Sequence, residues 1–222
     1  MRTPSRRHVA LAGLVLLALA PSARAEEGKI VPAAKVFPFL EAILKVPPAE
    51  RARLKVGYGL RRDGRPATGV RATLIEANGV RTPLPIDDQG RFERLPSLAQ
   101  LQAKAQLALD APADAKFGTA IMLDPALKPA TDYEARELVA TVEESNAAIR
   151  KAAGPMALMA PQMSGLVFAK AESGTVSFPD GTSKVLPVDA GAVVFRPDDF
   201  KGATHVRLGK MPIKVNYYSK KK

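Results

Sequence analysis

Apolar and polar residues alternate from Leu54 to Leu60, and the same pattern recurs along the 222-residue chain. A period of two places apolar side chains on one face of an extended strand and polar side chains on the other. Turn-forming pairs separate the alternating segments, and we expect Asn78-Gly79 to close a two-residue type I′ hairpin. Further candidate strands lie at 70–77, 80–86, 102–110, 118–123, 166–168 and 175–178. The sequence therefore predicts mainly antiparallel sheets arranged as a β-sandwich.

One segment breaks this pattern and predicts a long amphipathic helix at about 132–153. Thr131 and Glu134 have the spacing of a capping box, and Gly154-Pro155 is a typical helix end. One side of this helix is mostly apolar, and its stripe is formed by Leu138, Val139, Val142, Asn146, Ile149 and Ala153. The predicted fold class is therefore mainly β (α+β), with one long helix packed on the sheets.

Two short segments share a spacing 102 residues apart. Gly79 is followed by Leu84-Pro85-Ile86-Asp87, and Gly181 is followed by Leu186-Pro187-Val188-Asp189. Two similar β units on either side of the helix would explain the repeat at 79–96 and 181–197. Chance similarity between two hairpins would explain it as well. The predicted division is a signal at 1–25, a β-rich unit at 26–124, a connecting helix and Met-rich segment at 125–160, and a second β unit with a basic tail at 161–222.

Three turn motifs connect part of the chain with a known family. They are Asp63-Gly64-Arg65-Pro66, Gly69-Val70 and Asp87-Asp88-Gln89-Gly90-Arg91-Phe92. With them, residues 57–110 resemble the carboxypeptidase-regulatory-like and transthyretin-like β-sandwich modules, although the stretch 95–101 departs from that pattern. The resemblance implies a structural or binding unit and brings no catalytic residue with it.

The first 25 residues have the three parts of an export signal. A basic start precedes an apolar run from Val9 to Ala20, which is too short to cross a bilayer of about 30 Å. Small residues then precede the expected cleavage site after Ala25. Arg6-Arg7 also resembles the twin-arginine motif, but we favour the general secretory route. The mature protein is thus expected in the periplasm, without a transmembrane helix.

The formal net charge of +11 is unevenly distributed. The signal holds four arginines and no acid, and residues 201–222 hold seven lysines and arginines and no acid. Between 26 and 200 the chain has 22 basic and 22 acidic residues. Such a charge often indicates a nucleic-acid partner, but an exported protein seldom meets nucleic acid.

The basic C-terminal segment is the candidate binding site. An anionic envelope component is the expected partner: lipopolysaccharide, anionic lipid or an acidic protein. The alternative is an edge strand whose lysines oppose aggregation. The candidate binding residues are Arg207, Lys210, Lys214, Tyr218, Lys220, Lys221 and Lys222.

Several chemistries lack support in the sequence. The chain has no cysteine, which excludes disulfides, thiolate metal sites and a thiol nucleophile. His205 is the only histidine after the signal and has no evident orienting partner. Asp87-Asp88 and Asp198-Asp199 could be paired carboxylates, but Asp in turns more often caps the backbone. Met156, Met159 and Met163 could bind copper(I), although apolar packing is the commoner role of methionine.

The sequence therefore predicts an exported, non-enzymatic binding or structural module of the bacterial cell envelope, with no metal or cofactor. Two alternatives remain open. One is a carboxylate-dependent hydrolase. The other is a carrier of a small apolar ligand, which would need a cavity of at least about 300 Å³.

Overall fold

The computed structural model describes residues 28–219, so the signal segment and Lys220, Lys221 and Lys222 lie outside the described residues. Its strands are β1 Lys29–Pro32, β2 Leu54–Arg62, β3 Arg65–Pro66, β4 Ala72–Ile75, β5 Arg81–Leu84, β6 Gln106–Leu109, β7 Gly118–Pro125, β8 Asp132–Glu134, β9 Gly165–Ala169, β10 Gly174–Ser177, β11 Ser183–Val185, β12 Val188–Asp189, β13 Ala192–Phe195, β14 His205–Leu208 and β15 Lys214–Tyr218. The α-helices are α1 Ala33–Val36, α2 Leu40–Lys45, α3 Leu98–Gln102 and α4 Ala135–Ala153. Short 3₁₀ helices span Pro48–Arg51, Gly154–Met159 and Pro197–Asp199.

All strand pairs in the described residues are antiparallel, and they form four sheets. Sheet 1 has the order β1-β6-β4-β5 and sheet 2 the order β3-β2-β7. Sheet 3 has the order β8-β14-β10-β11 and sheet 4 the order β15-β9-β13-β12. Together with the long helix α4, this architecture confirms the predicted mainly β, sandwich-like α+β fold.

The two halves of the chain repeat the same strand arrangement. In the N-terminal unit (residues 29–125), β6 lies between β1 and β4, and β2 pairs with β7. In the C-terminal unit (residues 132–218), β14 lies between β8 and β10, and β9 pairs with β15. The first strand of each unit is followed directly by helix, α1 after β1 and α4 after β8. The faint sequence repeat is therefore part of a repeat of the whole unit.

Equivalent backbone hydrogen bonds confirm this correspondence. The N–H of Ala33 donates to the carbonyl of Ala105 over 3.0 Å, and the N–H of Ala135 donates to that of Thr204 over 2.9 Å. The donors are 102 residues apart and the acceptors 99. In a second equivalent pair, the N–H of Asp110 donates to the carbonyl of Arg71, and the N–H of Gly209 donates to that of Ser173. Here the donors are 99 residues apart and the acceptors 102. Chance similarity between two hairpins does not produce such agreement across several strands.

The hairpin at Asn78-Gly79 differs from the prediction. The N–H of Gly79 donates to the carbonyl of Glu76, and the N–H of Glu76 donates to the carbonyl of Val80. A type I′ turn needs positive φ at both central residues, and of this pair only Gly79 has it, at 84°. The connection is therefore a three-residue turn with a glycine bulge. The side chain of Asn78 holds it by accepting from the N–H of Val80 over 3.0 Å.

Helix α4 confirms the predicted long helix but begins at Ala135, three residues later than expected. Residues 132–134 pair with β14 instead, so the predicted capping box of Thr131 and Glu134 does not form. A capping box does form at α3, where Ser97 and Gln100 bond reciprocally. That helix, Leu98–Gln102, occupies most of the stretch 95–101 that departs from the pattern of the β-sandwich modules.

The long strand β2 contributes to two hydrophobic cores. Tyr58 and Leu60 are buried in the N-terminal core, whereas Leu54 belongs to the C-terminal core. Val56 packs against both. Helix α4 supplies Leu138 to the C-terminal core, as its apolar stripe predicted. The two units are thus joined through β2, whose side chains pack into both cores.

None of the helices between residues 28 and 219 has the length and apolar character that a membrane crossing requires.

Candidate binding surface

The structure distributes the predicted basic residues over two sheets. Arg207 lies on β14 in sheet 3, whereas Lys214 and Tyr218 lie on β15 in sheet 4. Lys210 lies in the connection between the two strands. Val215 is buried, but Met211 and Ile213 precede the strand and are exposed. The described part of the segment, up to residue 219, therefore does not form one continuous cationic edge.

Each described cation of the candidate site is paired with an acid from another element. Arg207 bonds to Asp132 at 3.1 Å, Lys210 to Glu172 at 2.8 Å and Lys214 to Asp124 at 2.8 Å. The hydrogen bond from Lys210 to Glu172 raises the pKa of the lysine. All three pairs are exposed to solvent, where an ion pair contributes only about 0–1 kcal/mol. They balance the charge of the folded part, so the basic excess of this segment is carried mainly by the lysines after Ser219.

Tyr218 marks the point at which the sheet ends. Its carbonyl accepts from the N–H of Ser164 over 2.8 Å, and its hydroxyl donates to Asp189 over 3.1 Å. This hydrogen bond to Asp189 is the main cause that raises the pKa of Tyr218. The chain is therefore held in sheet 4 up to residue 218. Lys220, Lys221 and Lys222 follow two residues later and lie outside the described residues.

The methionine-rich segment is mostly on the surface. We call residues 154–160 the apolar turn, because none of them is charged. Leu158 is 100% exposed, Met159 81% and Met156 53%. Met163, in contrast, is 8% exposed and lies in the C-terminal core. The three methionines proposed as copper ligands are therefore divided between the surface and the core, and the apolar contact surface is the better interpretation of Met156 and Met159.

A buried asparagine fixes the chain just after the apolar turn. The side chain of Asn146, on α4, donates to the carbonyl of Met163 over 2.8 Å and accepts from its N–H over 2.9 Å. Asn146 is 8% exposed. Its position in the apolar stripe is thus explained by a pair of hydrogen bonds. The sequence stripe showed where Asn146 lies, but only the fold identifies its partner.

Two of the four carboxylates considered for catalysis have structural roles. Asp87 accepts from the N–H groups of Gln89 and Arg91, at 2.9 and 2.8 Å, and so stabilises its own turn. Asp199 forms an ion pair with Arg196 in the 3₁₀ helix. Asp88 and Asp198 are exposed. Asp capping of turns is the commoner role that the sequence analysis favoured.

His205 is exposed on β14, on the face opposite to the buried Val206. Its cross-strand neighbours are Glu134 on β8 and Ser177 on β10. Between residues 28 and 219 there is no group of three His, Cys, Asp or Glu side chains placed to hold a metal ion.

An open apolar groove lies beside the N-terminal helices. It has a volume of about 420 Å³ and lies between α2, the start of β2 and residues 95–98. Its lining is mostly aliphatic and includes Leu40, Ile43, Leu44, Leu54, Val56 and Leu95. The volume of this groove exceeds the roughly 300 Å³ that a binding site for a small ligand needs.

Comparisons with known proteins identify no relative of this chain. No protein-family model, curated protein or solved structure matches this chain. Its function is therefore inferred from its own residues and surfaces.

Proposed function

We propose that this is an exported protein of the bacterial cell envelope that binds an anionic envelope component through its basic C-terminal segment and does no catalysis itself. One observation supports this most directly. Arg207, Lys210 and Lys214 are each paired with an acid, while three consecutive lysines follow Tyr218, the last residue of β15, in the sequence. The excess positive charge of the segment is thus carried mainly by residues that follow β15 in the sequence.

Lysines at this position suit an anionic surface. Each lysine near such a surface contributes about 1 kcal/mol, and the attraction falls off within a Debye length. Because β15 is fixed by pairing with β9, the lysines start from a defined place on the molecule. The expected partner is lipopolysaccharide, anionic lipid or an acidic protein.

The test compares two variants of equal net charge. In the first, Lys220, Lys221 and Lys222 are replaced by glutamine. In the control, the exposed Lys35, Lys55 and Lys116 are replaced by glutamine. We expect the first variant to bind anionic vesicles or lipopolysaccharide about 100-fold more weakly at low salt, since three lysines are lost. The control should bind like the wild type. Equal losses would mean non-specific attraction by net charge and would contradict the proposal.

Export is tested separately. After expression from the full sequence in a bacterial host, the periplasmic fraction should contain a protein whose first residue is Glu26. Replacement of Arg6 and Arg7 by lysine should leave export unchanged if the general secretory route is used. A protein that keeps residues 1–25 and stays in the cytoplasm would contradict the periplasmic location.

A second candidate function is the transport of a small apolar ligand, and the groove beside α2 favours it. A fluorescent fatty-acid probe should then bind with increased emission, and replacement of Leu95 by arginine should prevent this. Leu95 is partly buried and lines the groove. An unchanged response of the variant would exclude the groove as the binding site.

A further inference from the structure

The apolar groove beside α2 is lined by one charged side chain. Its lining combines eight apolar residues with Arg51 and Ser97, and no acidic side chain of residues 28–219 lines it. A guanidinium has only hydrogen-bond donors. The hydroxyl oxygen of Ser97 accepts from the N–H of Gln100 over 3.2 Å, which leaves the hydroxyl proton for donation. The groove therefore offers apolar walls and hydrogen-bond donors to a ligand.

The guanidinium of Arg51 is held in place but its charge is not balanced. Arg51 is the last residue of the 3₁₀ helix that follows α2. Its Nε–H donates over 3.0 Å to the carbonyl of Val46, the residue that ends α2. Within the described part of the chain, no acid lies at ion-pair distance from Arg51. The adjacent Glu50 is paired instead with Lys151 on α4, over 2.6 Å.

The charge of Arg51 selects the head group of a ligand. Arg53, only two residues later, lies 3.1 Å from Glu144 and 3.8 Å from Glu137, so its charge is used within the fold. The charge of Arg51 is left for an anion outside the fold. Because a planar guanidinium forms two parallel hydrogen bonds with a carboxylate, the carboxylate is the head group that fits it.

The wall opposite α2 is fixed before any ligand binds. Ser97 and Gln100 form the capping box of α3, and the side-chain amide of Gln100 donates to Glu76 over 2.9 Å. Pro96, between Leu95 and Ser97, is buried. A wall that is already ordered loses little conformational entropy on binding.

We propose that the groove binds a linear aliphatic monocarboxylate. The alkyl chain lies against the aliphatic walls, and the carboxylate accepts hydrogen bonds from the guanidinium of Arg51. Small-molecule sites commonly combine an apolar lining with a few polar groups that fix the orientation of the ligand. No aromatic ring of the described residues lines the groove, so a flat ring would find no stacking partner there. The inference rests on the second candidate function, transport of a small apolar ligand, and names the class of that ligand.

The test uses the whole protein and the neutral dye Nile red, whose emission rises in an apolar site. Decanoate and decanol have the same chain length and differ in charge, and each competes with the dye. In Arg51→Gln, displacement of the dye should need about tenfold more decanoate, because hydrogen bonds between charged partners are lost. Displacement by decanol should be unchanged.

The matched control is Arg62→Gln, which removes the same charge at the far end of β2 from Leu54. It should bind decanoate like the wild type, and an equal loss in both variants would overturn the inference as an effect of net charge. If Arg51→Gln weakens decanoate and decanol alike, Arg51 only shapes the groove and the inference is overturned. Tighter binding of decyl phosphate than of decanoate would overturn the choice of a carboxylate.

A third variant, Leu95→Arg, separates this inference from the carrier function. If Nile red binds the wild type, Leu95→Arg prevents binding and Arg51→Gln keeps full affinity for decanoate, the carrier function stands and recognition of a carboxylate is overturned. If Nile red does not bind the wild type, both are overturned.

A second copy of the chain is the other occupant to be tested. If the protein self-associates in analytical ultracentrifugation and Leu95→Arg abolishes this, the groove is an interface between copies and the inference is overturned. We expect the sedimentation of the variant and the wild type to be the same.

Discussion

The hydroxyl of Tyr217, on the last strand of the C-terminal unit, donates over 3.1 Å to the backbone carbonyl of Arg53, directly before β2 of the N-terminal unit. The same hydroxyl lies 2.6 Å from the hydroxyl of Ser145 on α4. The guanidinium of Arg53 turns towards the same helix and lies 3.1 Å from Glu144. This small network joins the residue before β2 to α4 and β15, and so links the two units.

Replacement of Tyr217 by phenylalanine should lower the free energy of unfolding by about 1–2 kcal/mol, because two hydrogen bonds at a half-buried position are lost. Urea denaturation followed by circular dichroism measures this change. The matched control is Tyr218→Phe, since the hydroxyl of Tyr218 bonds only to the exposed Asp189. We expect the control to change the stability by less than about 0.5 kcal/mol. A larger effect of the control than of Tyr217→Phe would show that the network does not join the units.

Alkaline pH should destabilise the protein through its tyrosines. Burial raises the pKa of Tyr217 to about 12 and also raises the pKa values of Tyr58 and Tyr133. In the unfolded chain these groups ionise near 10, so above that pH the unfolded state loses protons that the folded state retains. Stability is therefore retained below about pH 10 and falls as the pH rises from about 10 towards 12.

Tyrosinate absorbance of the folded and urea-unfolded protein measures this difference. The folded protein should titrate at higher pH than the unfolded chain, and Tyr217→Phe should make the decline of stability between about pH 10 and 12 less steep. Coincident titration curves of the two states would contradict the burial of these phenols.

Replacement of Asn146 by alanine should lower the free energy of unfolding by about 2 kcal/mol or more, because it leaves the buried N–H and carbonyl of Met163 without partners. Thermal unfolding gives the loss of stability, and hydrogen exchange should show faster exchange of the Met163 amide. Glu143→Ala is the matched control, since Glu143 is an exposed neighbour on the same helix. If both variants lose the same stability, the effect belongs to the helix and not to the asparagine.

Gly165→Ala should also be destabilising. A Cβ at Gly165 would lie 2.3 Å from the carbonyl oxygen of Phe195, a backbone atom of the adjacent strand β13. Relief of such a clash requires a backbone shift, which costs about 1–3 kcal/mol in a packed interior. Gly118→Ala is the control, because nothing lies within 4 Å of its Cβ position and its φ is not positive. Equal midpoints of denaturation for the two variants would contradict the close approach of β9 and β13.

The strands and the long helix were predictable because their information is local. Alternation placed Tyr58 and Leu60 on the buried face of β2, and a helical period placed Leu138 and Val142 on the buried face of α4. Those patterns depend only on backbone geometry and on the burial of apolar groups. The repeat is faint in the sequence, because equivalent positions of the two units share backbone hydrogen bonds but need not share the same residues.

Local preference failed where pairing between distant segments competed with it. Residues 132–134 have a helix-start signal but join β14, because strand hydrogen bonds satisfy more backbone groups than a cap does. The helices α1 and α2 are separated at Phe39, which has a φ of 63° and is exposed. Neither outcome follows from the neighbouring residues alone.

For the candidate binding surface, too, some features follow from the sequence and others only from the fold. The sequence by itself determined the excess of positive charge at 201–222 and the apolar character of residues 154–160. Only the tertiary structure decided that Arg207, Lys210 and Lys214 are paired with acids, and that β9, which follows the apolar turn in the chain, pairs with β15. The physical reason is that charge and hydrophobicity belong to single residues, whereas ion pairs and neighbouring surfaces depend on strand register between segments far apart in the chain.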